Sequence, residues 1–474
     1  MKAFLKTKAC KITAIVLASI VGATGVFLAT VATVFAVRKT AVVVIPGLLC
    51  SSIQDTETED IYYDPLNTDE YGYSFDDFFG DRMMATVTDI AVHSGVVDKL
   101  FAVLNEEEGN FLDKFALDET GAPVYPSAAI QWDHEGYARY GAMTVMKKPY
   151  DYYADLYRNK KNYDVFVFQY DWRRDNRIAA EALVKVTEGY DDVITVAHSM
   201  GNIVVSLALA QSESFRKKVI LNCSYAAPYF GSYNALDILE DGERTVGGIL
   251  DQARSFLNDH PALKFLFKNI LDKADAICYE KVLPYFRGMP GIVQLLPTID
   301  LVCPDGEHSN LQVNGEYITT EEQLTDYYES CFWAHEGEDL DAPVRSWVAD
   351  LSDYWAAFYV NGVHASKLVN TYYFAGYDRN TTESVTVEKS PEGEILSFRT
   401  SSGEGDGTVP YLSATLGGSV SDRVLRTEGY AHTELGTAIA EDLVTAQTAT
   451  ATASIDNPYK VLAIKAKYPR KTSP

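Results

Sequence analysis

Asp192–Gln211 reads DVITVAHSMGNIVVSLALAQ. Its first part, Val193 to Val196, is a β-branched apolar run of the kind that forms a buried strand. Small residues and a serine follow at once, and then an apolar segment of helical length. Strand, sharp turn, serine, helix is the context in which a serine is held exposed at a strand end, ready to act as a nucleophile. The turn is Ala197-His198-Ser199-Met200-Gly201. Such a turn crowds the backbone, so the residues two before and two after the serine must be small, and Ala197 and Gly201 are. The five-residue pattern alone is weak, because the same serine would serve equally as a helix cap. The flanking strand and helix make it specific.

Upstream, Thr40 to Ile45 is a short β-branched strand that runs into Pro46-Gly47-Leu48-Leu49. Alone, Pro-Gly is a turn. At the end of an early strand it is also a place for a backbone donor that meets a developing oxyanion, with the Leu48 amide as one donor and the Met200 amide as the other. Tyr163 to Gln169 is a further strand and leads into Tyr170-Asp171-Trp172-Arg173-Arg174, where Asp171 and Arg173 are expected to pair and pin the strand end. Ile178 to Glu188 reads as the helix before the central strand. Between these, residues 51–148 form an insertion. Gln54 to Asp81 is acidic and Tyr-rich, Ala85 to Glu107 has helical periodicity, and Asp151 to Asn159 also looks helical.

Downstream, Val219 to Cys223 is a strand and Ala226 to Ser232 a loop of small residues. Regular alternation then stops over residues 234–364. Gly248 to Asn258 and Pro261 to Asp275 read as amphipathic helices, and RGMPGIVQLLP spans Arg287 to Pro297. So long an excursion between core strands suggests a helical cap, either a lid with an apolar inner face or a subdomain packed on the core. Val369 to Ala375 resumes the core, Glu383 to Arg399 looks like a β-hairpin, and Arg423 to Arg426 is a last strand.

Two short motifs in this second part bear on chemistry. Asp406, between Gly405 and Gly407 in GDGTVP, lies on a loop after a strand, where a carboxylate can be held by backbone donors and reach a histidine. His432, in GYAH, follows the last strand. Of the other histidines, His198 should point away from the turn, His93, His134, His260, His308 and His335 lie in insertions, and His364 is the main competitor. The order Ser199, Asp406, His432 suits a nucleophile, an orienting acid and a general base.

The 474 residues are 47% hydrophobic, enough for a sizeable core. The net charge of −25 sets the chain against nucleic acid as a partner. Lys2, Lys6, Lys8 and Lys11 precede an uncharged run from Ile12 to Val37, closed by Arg38 and Lys39. This run is long enough to span a bilayer, and its N-terminal lysines favour the cytoplasmic side. It reads as a signal-anchor or as a signal peptide cleaved after Ala36. Either way the body is expected to be extracytoplasmic, membrane-anchored through residues 12–37 or secreted. The six cysteines show no metal-ligand spacing. Cys303 and Cys331 could close a disulfide or stay free and buried. No cofactor and no metal is expected. The expected division is 1–39 (signal or anchor), 40–233 (core), 234–364 (cap), 365–444 (core) and 445–474 (low-complexity, then basic, tail).

Taken together, IPG early, YDWR before the turn, AHSMGN at it, MPG and LLP in the middle, GDGTVP and the late Gly-Tyr-Ala-His resemble the lecithin:cholesterol acyltransferase family, which includes lysosomal phospholipase A and phospholipid:diacylglycerol acyltransferases. The resemblance runs from Thr40 to about Gly436. It implies an α/β-hydrolase fold, a mostly parallel sheet flanked by helices with a cap and lid, and an acyl-ester lipid as substrate at a membrane surface. Ser199, Asp406 and His432 would be the triad. The expected activity is that of a lipase or phospholipase. The alternatives are an O-acyltransferase and a catalytically silent, membrane-anchored binding protein.

Overall fold

The computed structural model describes residues 38–59, 61–63, 113–131, 150–151, 153–155, 159–240, 286–333 and 346–435, the last stretch without 392, 394, 422, 428, 429 and 434. The expected N-terminal apolar segment, most of the first insertion, the two expected cap helices at 248–258 and 261–275, and the tail lie outside the described residues. Among the described residues no helix is long and apolar enough to cross a membrane.

Six strands build the central sheet: β1 (Thr40–Ile45), β5 (Tyr163–Val167), β6 (Asp192–His198), β7 (Val219–Tyr225), β12 (Thr371–Gly376) and β15 (Val424–Thr427). Their spatial order is β15-β12-β7-β6-β1-β5, and every pairing is parallel. A parallel sheet is covered on both faces, so its strands are apolar throughout rather than alternating. β1, TAVVVI, is buried at every residue. Its odd and even positions separate onto the two faces. Ala41, Val43 and Ile45 join one apolar cluster and Val42 and Val44 the other. Each of these valine and isoleucine side chains contributes roughly 1.5–3 kcal/mol by leaving water.

Helices α1 (Asn176–Val186), α2 (Gly201–Gln211), α3 (Glu213–Lys218) and α4 (Tyr233–Glu240) connect or follow these strands. Asp175 caps α1 by accepting from the Arg177 amide. α2 is apolar around most of its circumference and is buried from Gly201 to Leu209, as a helix at the centre of a fold must be. The chain leaves β1 toward β5 on one side and leaves β6 toward β7 on the other. The carboxyl ends of β1 and β6 therefore flank a topological switch point, where α/β sheets form their ligand crevice.

Among the described residues, three further sheets accompany this core. β2 (Ile53–Asp55), β3 (Ile61–Tyr63) and β4 (Ser127–Ala129) are antiparallel and belong to the first insertion. The expected hairpin is β13 (Thr381–Lys389) with β14 (Ile395–Gly403). It is extended by β8 (Leu311–Val313) and β9 (Glu316–Tyr317), and a fourth sheet pairs β10 (Tyr359–Val360) with β11 (Val363–His364). The span 234–364 is thus not purely helical. Besides α4, α5 (Pro290–Val293), α6 (Ile299–Val302), α7 (Glu321–Trp333) and α8 (Leu351–Ala356), its described residues hold four short strands. The signal for them is Asn-Gly, at Asn314-Gly315 and at Asn361-Gly362, where both residues of each pair have positive φ. That is the two-residue hairpin turn whose twist matches the strands it joins. A last helix, α9 (Tyr411–Ala414), follows the Asp406 loop.

Arg173 is fully buried and pairs with Asp171, its Nε and Nη2 donating to the two carboxylate oxygens at 2.9 and 2.7 Å. It also donates to Ser127 Oγ and to the carbonyls of Lys114 and Phe115. The expected Asp171–Arg173 pair therefore fastens the described part of the insertion to the end of β5. Cys303 and Cys331 are free thiols and buried, so the possible Cys303–Cys331 disulfide is not formed. The Cys331 thiol donates instead to Glu240 at 2.8 Å.

Candidate active site

Ser199 stands between the end of β6 and the start of α2 with φ of +52°. A non-glycine residue with φ in this range costs of order 1–3 kcal/mol and persists only where its surroundings impose it. Here they do. The Ser199 amide donates to Tyr225 O at 2.9 Å. Asn202 Nδ2 donates to the carbonyls of Ala197, Ser199 and Tyr225, tying both sides of the turn to β7. Small residues are obligatory. A Cβ on Gly201 would lie 2.6 Å from the carbonyl oxygens of Ile45 and Pro46, and one on Gly47 would lie 2.8 Å from Ser199 Cβ. Ala197 is fully buried.

The loop after β1 thus abuts the serine. It is held from behind by the YDWR stretch. Tyr170 Oη donates to Pro46 O at 2.9 Å and Trp172 Nε1 donates to Ser51 O at 3.1 Å. The amides of Leu48 and Met200 have no hydrogen-bond partner among the described residues. Two unspent donors beside one serine hydroxyl can receive an oxygen that gains negative charge.

Asp406 is almost fully buried, in a loop where Gly405 packs so tightly that a Cβ would lie 2.4 Å from Thr381 Oγ1. Its Oδ1 accepts from the amides of Val409 (2.7 Å) and Thr408 (3.0 Å). Its Oδ2 accepts from His432 Nδ1 at 2.8 Å. Burial alone would raise this carboxyl. The charge and hydrogen bond of the His432 imidazole, with the two amides, outweigh it and hold Asp406 below its ordinary value. With Nδ1 donating to Asp406, His432 presents a bare Nε2, and this atom lies 2.9 Å from Ser199 Oγ. Ser199, Asp406 and His432 are therefore brought together across more than two hundred residues of chain. His364, the competitor, is elsewhere, its Nδ1 on Ser366. Among the described residues no group of three or more His, Cys, Asp or Glu side chains could hold a metal ion.

His198 makes a contact that sequence reasoning missed. Its Nε2 donates to the carbonyl of His432 at 2.9 Å, and the two rings lie 4.8 Å apart. Burial, helped by repulsion from His432, lowers His198 to about 3, so it stays a neutral donor at neutral pH. It holds the His432 loop from below while Asp406 holds the ring. A His198→Phe variant keeps a ring but loses this donor. It is expected to lower kcat for ester cleavage about 10–100-fold with little change in KM, and His198→Gln should recover part of the loss. Equal kcat in the wild type and His198→Phe would remove the positioning role.

Acid should destabilise the fold through the same groups. His198 and His364 are both lowered from 6.5 to about 3 by burial, and Asp406 is also depressed. Between pH 6.5 and 3 the unfolded chain binds protons at these histidines that the folded chain does not, so their contribution is complete above 6.5 and declines below it. Each histidine is expected to cost roughly 2 kcal/mol by pH 5. Urea midpoints measured from pH 8 to pH 4 should fall steeply below 6.5, and a flat profile would contradict the assignment.

A family model described as lecithin:cholesterol acyltransferase matches residues 125–267, a stretch that includes the Ser199 turn. Over this stretch the chain is similar to that family. A search of curated proteins returns no match. Among solved structures, a chain of the Tle4–Tli4 complex aligns with a TM-score of 0.50 and 14% identity, over 91% of this chain and 99% of that one, which is a likeness of fold alone.

Proposed function

We propose that this protein is a serine hydrolase of the α/β-hydrolase type that cleaves acyl esters of lipids, phospholipids foremost. The observation that carries the reading is the continuous hydrogen-bonded line from Asp406 through His432 to Ser199, beside the free amides of Leu48 and Met200. In the reaction, His432 Nε2 takes the Ser199 proton as Oγ attacks the ester carbonyl carbon. The carbonyl electron pair moves onto oxygen, where the two amides receive it. Collapse expels the alcohol, which takes the proton from His432, and leaves an acyl-serine. Water, activated by the same histidine, then releases the fatty acid. Asp406 fixes the imidazole tautomer and stabilises the imidazolium. The similarity of residues 125–267 to the lecithin:cholesterol acyltransferase family supports a lipid ester as substrate.

The same acyl-serine serves a second reading, transfer to an alcohol acceptor in place of water, which the description of the family favours. The charge pattern of residues 1–39 supports an extracytoplasmic body anchored at, or released from, a membrane. The test is acyl release by the full chain from p-nitrophenyl esters of increasing chain length and from phosphatidylcholine vesicles, with and without an added long-chain alcohol. Rates that rise with chain length support a lipid esterase, and ester formation with the alcohol favours transfer. Good activity on acetyl esters with poor activity on long chains would argue against lipids. Inertness on every ester would leave a binding protein on an α/β-hydrolase frame.

A further inference from the structure

Arg426 stands near the carboxyl end of β15, in the run Val424-Leu425-Arg426-Thr427, and its side chain is only 11% exposed. An arginine is seldom so covered unless its guanidinium has partners. Here they come from two other segments. The ring of Tyr377, just past the end of β12, has its centroid 4.0 Å from Arg426 Cζ. The ring of Tyr411, at the start of α9, has its centroid 4.8 Å from the same atom. Nη2 donates to Glu404 Oε2 at 3.1 Å. A cation within about 6 Å of a ring centroid is attracted to the ring, and a planar guanidinium offers two faces, which a compact ammonium does not. The Glu404 side chain is 62% exposed, so this ion pair adds little and the two rings carry the contact.

Glu404 and Tyr411 are the two ends of the loop that carries Asp406. The Tyr411 amide donates to Glu404 O at 2.9 Å and Gly405 bridges to Pro410, so the loop is closed at its neck. Arg426 grips that neck from both ends. One flank of the loop is tied to the start of β13, the Gly407 amide donating to Thr381 Oγ1 at 2.8 Å and the Arg379 amide to Gly405 O at 3.1 Å. The opposite flank faces the chain that continues β15 and carries His432. There the His432 amide donates to Asp406 O and His432 Nδ1 to Asp406 Oδ2, both at 2.8 Å and both at the tip of the loop. Arg426 adds a link at the neck. The fit beneath is close, since a Cβ on Gly376, at the end of β12, would lie 2.7 Å from Asp406 Cβ. Movement of the neck against β15 would therefore carry the acid away from the base that the same strand delivers.

We infer that Arg426 is a positioning residue for the triad, fixing the neck of the Asp406 loop to the strand that delivers His432 and so setting the Asp406–His432 contact. Its kinetic consequence rests on the hydrolase reading. In the full chain, Arg426→Met is expected to lower kcat on a soluble p-nitrophenyl ester about 10–100-fold with KM within about two-fold, since a misplacement of about 1 Å costs roughly 100-fold. Arg426→Lys, which keeps the charge without the plane, should recover part of the loss. Placed on Asp406→Asn, Arg426→Met should cost less than about two-fold more, because its effect passes through Asp406. A second readout needs no turnover. The Nδ1 proton that His432 shares with a carboxylate resonates far downfield in a one-dimensional proton spectrum, and Arg426→Met should shift or erase it while the thermal midpoint shows a folded protein. A wild type inert on every ester would end the hydrolase reading, and this resonance would still decide the role of Arg426. If Arg426→Met fails to fold, Tyr411→Leu must give the same fall in kcat and the same loss of resonance. Undiminished kcat in a folded variant, an equal loss in the wild-type and Asp406→Asn backgrounds, a rise in KM alone, or a downfield proton missing from the wild type or unmoved in the variant would each overturn the inference.

Discussion

Ser199→Ala is expected to lower kcat for ester cleavage by at least about 10³-fold while leaving the unfolding midpoint near that of the wild type. The serine supplies the hydroxyl that His432 Nε2 meets, at 2.9 Å, and its removal leaves the amides of Leu48 and Met200 with no nucleophile to serve. Alanine occupies no more space than serine in a turn already packed against Gly47. Asp406→Asn should cost a comparable factor for a different reason. A carboxamide offers its NH₂ toward Nδ1 and favours the tautomer that protonates Nε2, which can no longer accept the serine proton. The two losses should not add, because the residues act as one unit. Steady-state rates on a soluble p-nitrophenyl ester give the answer, and a Ser199→Ala protein of wild-type activity would end the serine assignment.

The largest effect on stability is expected at Arg173. Replacing it with methionine leaves Asp171 without its partner and strips Ser127 Oγ and the carbonyls of Lys114 and Phe115 of a donor. Removing one member of a buried ion pair costs roughly 3–5 kcal/mol, more than the pair itself contributes, because the orphaned charge stays out of water. Arg173→Met should therefore lower the urea midpoint sharply. Asp171→Leu/Arg173→Met, which removes both charges, should be more stable than the single variant. If the double variant is the less stable of the two, burial of an unpaired charge is not the cause.

Local residue patterns made much of the core legible. The apolar runs at Thr40–Ile45, Val193–Val196, Val219–Cys223, Val369–Ala375 and Arg423–Arg426 each fall in a strand of the central sheet, within a few residues at their ends. A strand buried on both faces needs an unbroken apolar run, and such a run can be recognised without its neighbours. The span 234–364 was harder to read. Its strands are two or three residues long, too short for any periodicity, and their one local sign is Asn-Gly at 314–315 and 361–362. The YDWR stretch was legible as an ion pair. That Tyr170 and Trp172 hold the Pro46–Ser51 loop was not, because their partners lie more than a hundred residues away.

By itself, then, the sequence determined the parallel α/β core and the strained Ser199 turn, because both follow from short-range requirements: apolar runs that must be buried, and small residues where backbone crowds backbone. It also named Asp406 and His432 as candidates by their order along the chain. Only the tertiary structure decided that His432 and not His364 faces Ser199, and that His198 supports the His432 carbonyl. Those facts depend on which distant segments the sheet order brings into contact. A hydrogen bond of 3 Å between residues two hundred positions apart leaves no trace in the local pattern of either.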